Sequence, residues 1–241
     1  MSRTITIDAR FRGPLTSANG GYVSGRLAAF IPGAAEVTLR RPPPLGHPLR
    51  VEQAQDGAVR LHDGDVLLAE ARPTQLDLSL PDAPTLAEAE EAASRYLGLE
   101  HHVFSGCFVC GVEREPDDGL RIFAGTVRGR DLVAAPWVPH VSIAEDGRVR
   151  PEFLWAALDC PGVFAPGVIQ GRDRLLLLGR IAGRVDAVPA PGEPCIVVGW
   201  KIATEGRKTH VGTAVFSRSG EPYAKARGTW VALAPIAHDR A

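Results

Sequence analysis

One carboxylate stands apart from the chain's other acidic residues. In PEFLWAALDC, residues 151–160, every residue between Glu152 and Asp159 is apolar. The spacing predicts a helix buried on most sides that carries a single late acid, Asp159. Desolvation and the negative helix end both raise its pKa, toward the range of a general base or nucleophile. The competing reading is structural: Asp159 caps the Pro161-Gly162 turn or pairs with Arg150. A second candidate is Asn19-Gly20-Gly21, an N-cap residue and two glycines ahead of an apolar periodic run. A helix start of this kind offers bare N–H groups backed by the positive dipole end, suited to the oxygen of a polarised carbonyl. Alone, it also describes an ordinary capped helix.

Cys107-Phe-Val-Cys110, with His101-His102 upstream, raises the question of a metal. Zinc sites of this kind draw a second ligand pair from well away in the chain. Here Cys160 and Cys195 stand isolated, and adjacent histidines point poorly at one ion. The expectation is therefore four free thiols, no metal and no cofactor. A redox role lacks the strand-helix pattern of a thioredoxin-like motif.

These residues must be positioned by a chain of 241 residues, 45% apolar and 23% charged, which suffices for a compact core. The 27 basic and 28 acidic side chains nearly cancel, so the basic excess needed for nucleic acid or anionic membranes is missing. No apolar run approaches the ~20 residues that span a bilayer. The start MSRTITIDARF lacks a leader pattern, and sparse cysteines fit a reducing interior, so the expected location is the cytoplasm.

The 26 glycines and 20 prolines imply many turns between short strands. TITIDARF, residues 4–11, alternates as a strand, and a helix runs from Asn19 to Pro32-Gly33. AEVTLR, LRVEQAQ, AVRLHD and VLLAEARPTQLDL then read as a strand meander, with RPPPLGHP as a turn within it. LAEAEEAASRYLGL, acidic and Ala-rich, reads as a linker helix. Strands over 120–138, the helix PEFLWAALDC and four further strands follow. Both halves are thus strand, helix, then meander. PLGHPLRV (44–51) lies over APGEPCIV (190–197), and AEAR (69–72) over AKAR (224–227), at matched steps of the two halves.

FRGPLTSANGGYVSGRLAAF resembles the strand, loop and Asn/His-Gly-Gly helix start of thioesterase hotdog domains, and DGLRIFAG with RPEFLWAALDCPGV resembles a second such unit. The whole is similar to double-hotdog acyl-CoA thioesterase-like proteins. The resemblance implies an α+β fold of two tandem hotdog units, each an antiparallel sheet wrapped around one long central helix. The units would span 1–97 and 119–241, joined by a bend at 98–118.

In similar thioesterases an Asp or Glu follows the His or Asn of the helix start by nine residues. Nine after Asn19 is Ala28, and nine before Asp159 is Arg150, so one half keeps the helix start and the other the acid. The resemblance implies one site between the units, with Asp159, Asn19, Gly20 and Gly21 as its residues and an acyl-CoA thioester as substrate, coenzyme A entering only as part of it. Whether the acid activates water or attacks directly stays open. Thr209 and His210 are candidates for a supporting group from a later strand. Arg26, Arg40, Arg41, Arg172 and Arg174 are candidates for coenzyme A phosphates. An inactive acyl-thioester binder is one alternative. A hydratase or dehydratase is another, though His47, His62 and His140 lie away from the helix start that would carry its histidine. Pairing of two chains into a homo-oligomer is also left open.

Overall fold

The computed structural model describes residues 3–169 and 175–233, so Arg172 and Arg174 lie outside the described residues. The first half is β1 (Arg3–Thr6), α1 (Gly20–Ala28), β2 (Ala35–Leu39), β3 (Pro48–Gln53), β4 (Val59–Asp63) and β5 (Val66–Pro73). Then come α2 (Leu86–Ala93), β6 (Gly125–Thr126), β7 (Leu132–Trp137), the short pair β8 (Ala144–Glu145) and β9 (Arg148–Val149), and α3 (Pro151–Ala157). The last strands are β10 (Leu176–Val185), β11 (Cys195–Glu205), β12 (Lys208–Ser217) and β13 (Pro222–Ala232). No helix of the described residues is long and apolar enough to cross a membrane.

Eleven strands form one antiparallel sheet, ordered β1-β3-β4-β5-β2-β10-β13-β12-β11-β7-β6. The order is a mirror about the β2/β10 seam: β2, β5, β4, β3 run outward on one side and β10, β13, β12, β11 on the other. PLGHPLRV and APGEPCIV end in β3 and β11, while AEAR and AKAR lie in β5 and β13, so the matched segments occupy mirrored places. Val37 faces Ile181 across the seam, and Arg180 reaches Glu36 at 3.4 Å.

Several expected elements are shorter in the structure: strand over 120–138 is confined to Gly125–Thr126 and Leu132–Trp137, the helix in PEFLWAALDC ends at Ala157, and two elements of the first half are also cut short. TITIDARF is a strand only to Thr6, because the Asp8 carboxylate accepts the Arg10 N–H at 2.7 Å and turns the chain into a 3-10 turn over Ala9–Phe11. The first helix ends at Ala28, so Phe30 and Ile31 pack from the turn that follows it.

The segment expected as a linker is instead a packed element. A Thr85/Glu88 capping box starts α2, and its small buried residues Ala89 and Ala92 lie against the outer face of β7 and β11. There they meet Leu132, Ala134, Ile196 and Val198, while the intervening Val133, Ala135, Cys195 and Val197 face the main core. Both faces of these strands are covered, which is why they read as continuous apolar runs rather than alternating ones. Ala92→Glu should therefore cost about 3 kcal/mol in urea unfolding by burying an unpaired charge, whereas Glu90→Ala on the exposed face should change stability by less than about 0.5 kcal/mol.

The helices α1 and α3 pack on each other. A Cβ on Gly21 would lie 2.5 Å from the Trp155 carbonyl oxygen, and one on Gly25 would lie 2.6 Å from the Glu152 Cα. These two glycines, one helical turn apart, let the backbones approach. Beside them Phe11 stacks on Tyr22 at 4.4 Å and meets Phe108 and Phe153 edge-on at 5.0 and 5.6 Å. This aromatic cluster ties the Cys107–Cys110 loop to both helices.

Candidate active site

Pro151 at the first turn and Glu152 behind it start α3, which stops at Ala157 with Leu158 as its cap. Asp159 then opens a 3-10 turn, Cys160–Phe164. Thr213 of β12 donates to the Leu158 carbonyl at 2.8 Å, and Gly199 and Gly162 let the turn sit directly on β11 and β12. The backbone on both sides of Asp159 is thus fixed by the second half, while its side chain reaches the first half. Its Oδ2 accepts the Gly21 N–H at 2.8 Å and the Asn19 Nδ2–H at 2.9 Å. Its Oδ1 is buried with no hydrogen-bond partner among the described residues.

Neither structural reading of Asp159 matches these contacts. Its side chain makes no capping bond to the following turn, and Arg150 approaches Glu152 instead, at 3.5 Å. Burial is the main influence on the carboxyl and pushes it up to about 7, with the Gly21 and Asn19 hydrogen bonds opposing. A buried carboxylate with one oxygen unpartnered costs stability, and such costs concentrate where chemistry is done.

Asn19 serves both partners, capping α1 through Oδ1 to the Tyr22 N–H at 2.9 Å while its Nδ2 holds Asp159. The two glycines divide the remaining roles. The Gly21 N–H is committed to Asp159, and its Cα faces the α3 backbone. A bulky residue at position 21 therefore disrupts helix packing first. Gly20 lines a cavity, and among the described residues its N–H has no acceptor. One amide, not two, is free to bind an oxyanion.

The cavity measures about 620 Å³ and is bounded by Asn19, Gly20 and Asp159 at one side. Its walls are apolar, with Leu39 from the first half and Val163, Phe164, Leu176, Leu178 and Val231 from the second. Of the five arginines weighed for phosphates, Arg40 and Arg41 line it, whereas Arg26 donates to the Tyr22 hydroxyl at 3.1 Å. Thr209 and His210 do not line it; His210 pairs with the Thr229 hydroxyl at 3.1 Å and Thr209 meets Thr204 at 3.4 Å. The hydroxyl that supports the acid's backbone is Thr213, two residues past Val211 on the same inward face of β12.

The cysteines also differ from their sequence pattern. Cys160 is separate from Cys107 and Cys110 in the chain, yet the three sulfurs lie within 4.8 Å of one another. The Cys107 and Cys160 sulfurs are 3.8 Å apart, and all three residues line the cavity beside Asp159. Hydrogen bonds from the Cys110 and Cys160 thiols hold Cys107 well below the usual thiol range. Only Cys195, on β11, stays apart.

Comparison with known structures identifies the architecture. A protein of unknown function with a hot dog fold from Alicyclobacillus acidocaldarius superposes with a TM-score of 0.63 at 11% identity, covering 97% of this chain and 93% of that one. The chain has a hotdog-type fold. The tesB protein of Mycobacterium avium subs paratuberculosis gives 0.61 at 13% identity, with 96% and 92% covered. An acyl-CoA thioesterase II from Mycobacterium marinum gives 0.58 at 12% identity, with 98% and 94% covered. No protein-family model and no curated protein matches the chain. Within this hotdog-type fold, the helix pair α1/α3 and the seam strands deliver the Asp159 cluster to the cavity wall.

Proposed function

We propose that the chain hydrolyses an acyl thioester of coenzyme A in this cavity, with Asp159 as the acid–base or nucleophilic group. The observation that carries the reading is the buried Asp159 carboxylate, oriented through one oxygen by Asn19 and Gly21, left unpartnered at the other, and lining an apolar cavity. As a base, Asp159 takes a proton from water as the oxygen attacks the thioester carbon, and returns it to the departing thiolate. As a nucleophile its oxygen attacks the thioester carbon, the C–S bond breaks and the coenzyme A thiolate leaves, and water then cleaves the mixed anhydride to the free acid and the regenerated Asp159 carboxylate. In both, the Gly20 N–H stabilises charge on the carbonyl oxygen.

In this reading the chain is an internally duplicated pair of hotdog units, residues 1–97 and 119–241 about a bend at 98–118, each wrapped on its own helix. The mirrored strand order and matched segments support it. The half with Ala28 at the acid position contributes the helix start, and the half with Arg150-Pro151 contributes the acid. The apolar walls suit an acyl chain, and the four free cysteines suit the cytoplasm.

Chromatography of free coenzyme A released from acetyl- to oleoyl-CoA tests the reaction; binding without release across the series would favour the inactive binder. Arg40 and Arg41 are the proposed phosphate contacts. Arg41→Glu should raise KM for acyl-CoA about tenfold with kcat little changed, and leave KM for the phosphate-free N-acetylcysteamine thioester unaltered.

A further inference from the structure

We propose that Cys107, Cys110 and Cys160 form a three-thiolate site for a soft cation of the zinc–cadmium class, built into the wall of the cavity. Sequence spacing offers the Cys107–Cys110 pair no second ligand pair and two poorly aimed histidines, but the fold brings Cys160 to it as a third sulfur. Zinc–thiolate bonds of ~2.3 Å arranged tetrahedrally place sulfurs about 3.8 Å apart. The Cys107–Cys160 separation is 3.8 Å, and all three sulfurs lie within 4.8 Å of one another, so ligation requires only a small contraction.

The backbone carrying these ligands is held independently of any ion. The Cys107 carbonyl accepts the Gly111 N–H at 2.9 Å, and a Cβ on Gly111 would collide with the Ser105 and Cys107 carbonyls. Tyr96 donates its hydroxyl to the Cys110 carbonyl at 3.0 Å, while Arg12 and Arg114 both donate to the Gly106 carbonyl. Cys160 is set by the turn wedged against β11 and β12. Buried structural cysteines ordinarily pack as separate small apolar groups, and Cys195 does so. Three converging thiols instead match the soft-ligand set that selects zinc or cadmium. All three cysteines line the cavity, so a water completes the coordination; His102, which lines the same cavity, lies outside the cluster of three sulfurs.

The full chain, purified under reductant and stripped with a chelator, is titrated with cadmium alone and followed by thiolate-to-cadmium ultraviolet absorption. One equivalent should bind, with loss of the absorption in Cys107→Ser, Cys110→Ser and Cys160→Ser and full retention in Cys195→Ser. Retention in Cys160→Ser would overturn the site, as would failure of the wild type to bind. Because a buried serine can unfold the chain, X-ray absorption of the zinc-loaded wild type provides a variant-free count. Three sulfurs and one nitrogen or oxygen are expected, and two sulfurs or fewer would contradict the proposal.

Discussion

Asp159→Asn should abolish thioester hydrolysis without lowering the melting temperature. The asparagine keeps the size of the side chain, and its carbonyl oxygen can accept the Asn19 and Gly21 donors as Oδ2 does now. It loses the base and the nucleophile together, a loss worth at least about 100-fold in kcat. It also removes a buried carboxylate with an unpartnered oxygen, so the folded state is relieved of a desolvation cost. Parallel assays of coenzyme A release and thermal unfolding on one preparation check both halves of this expectation. An inactive variant that also melts well below the wild type would reduce Asp159 to a structural group.

The second large effect divides the glycines of α1. In an exposed helix, Gly→Ala gains about 1 kcal/mol. At Gly21 and Gly25 the added Cβ would meet rigid α3 atoms at 2.5 and 2.6 Å, and overpacking of this kind costs about 1–3 kcal/mol or more. The clash outweighs the propensity, so Gly21→Ala and Gly25→Ala should lower the urea midpoint. At Gly20 the nearest obstacle is the flexible Leu39 Cδ1 at 2.8 Å, with Asp159 Oδ2 at 3.5 Å. Gly20→Ala should therefore fold normally and lose activity by crowding the cavity beside the free amide. If all three variants fold alike, α1 does not meet α3 through this face.

Much of this arrangement was legible in the residues. Asn19 caps its helix as its type and place suggest, and the apolar surroundings of Asp159 marked it as a costly acid. The turn-broken strand pattern of both halves agrees with the antiparallel sheet. What escaped the sequence depends on contacts between distant segments. A glycine pair in GGYVSG gives no sign that it faces another helix rather than a ligand. Cys160 looks isolated because one of its partners, Cys107, lies 53 residues away in the chain. The α2 segment resembles a solvated linker because alanines at 89 and 92 score weakly as an apolar stripe, although they suit close packing on a sheet. Thr209 and Thr213 share one face of β12, so strand alternation does not tell which of them meets the turn that carries Asp159.

The most direct test is a crystal structure of Asp159→Asn with an intact acyl-CoA that the wild type cleaves. The acyl chain should occupy the cavity lined by Leu39, Leu176 and Leu178, with the thioester carbon beside residue 159 and its carbonyl oxygen within hydrogen-bond distance of the Gly20 N–H. A thioester bound elsewhere, or a carbonyl oxygen turned away from the start of α1, would contradict the account.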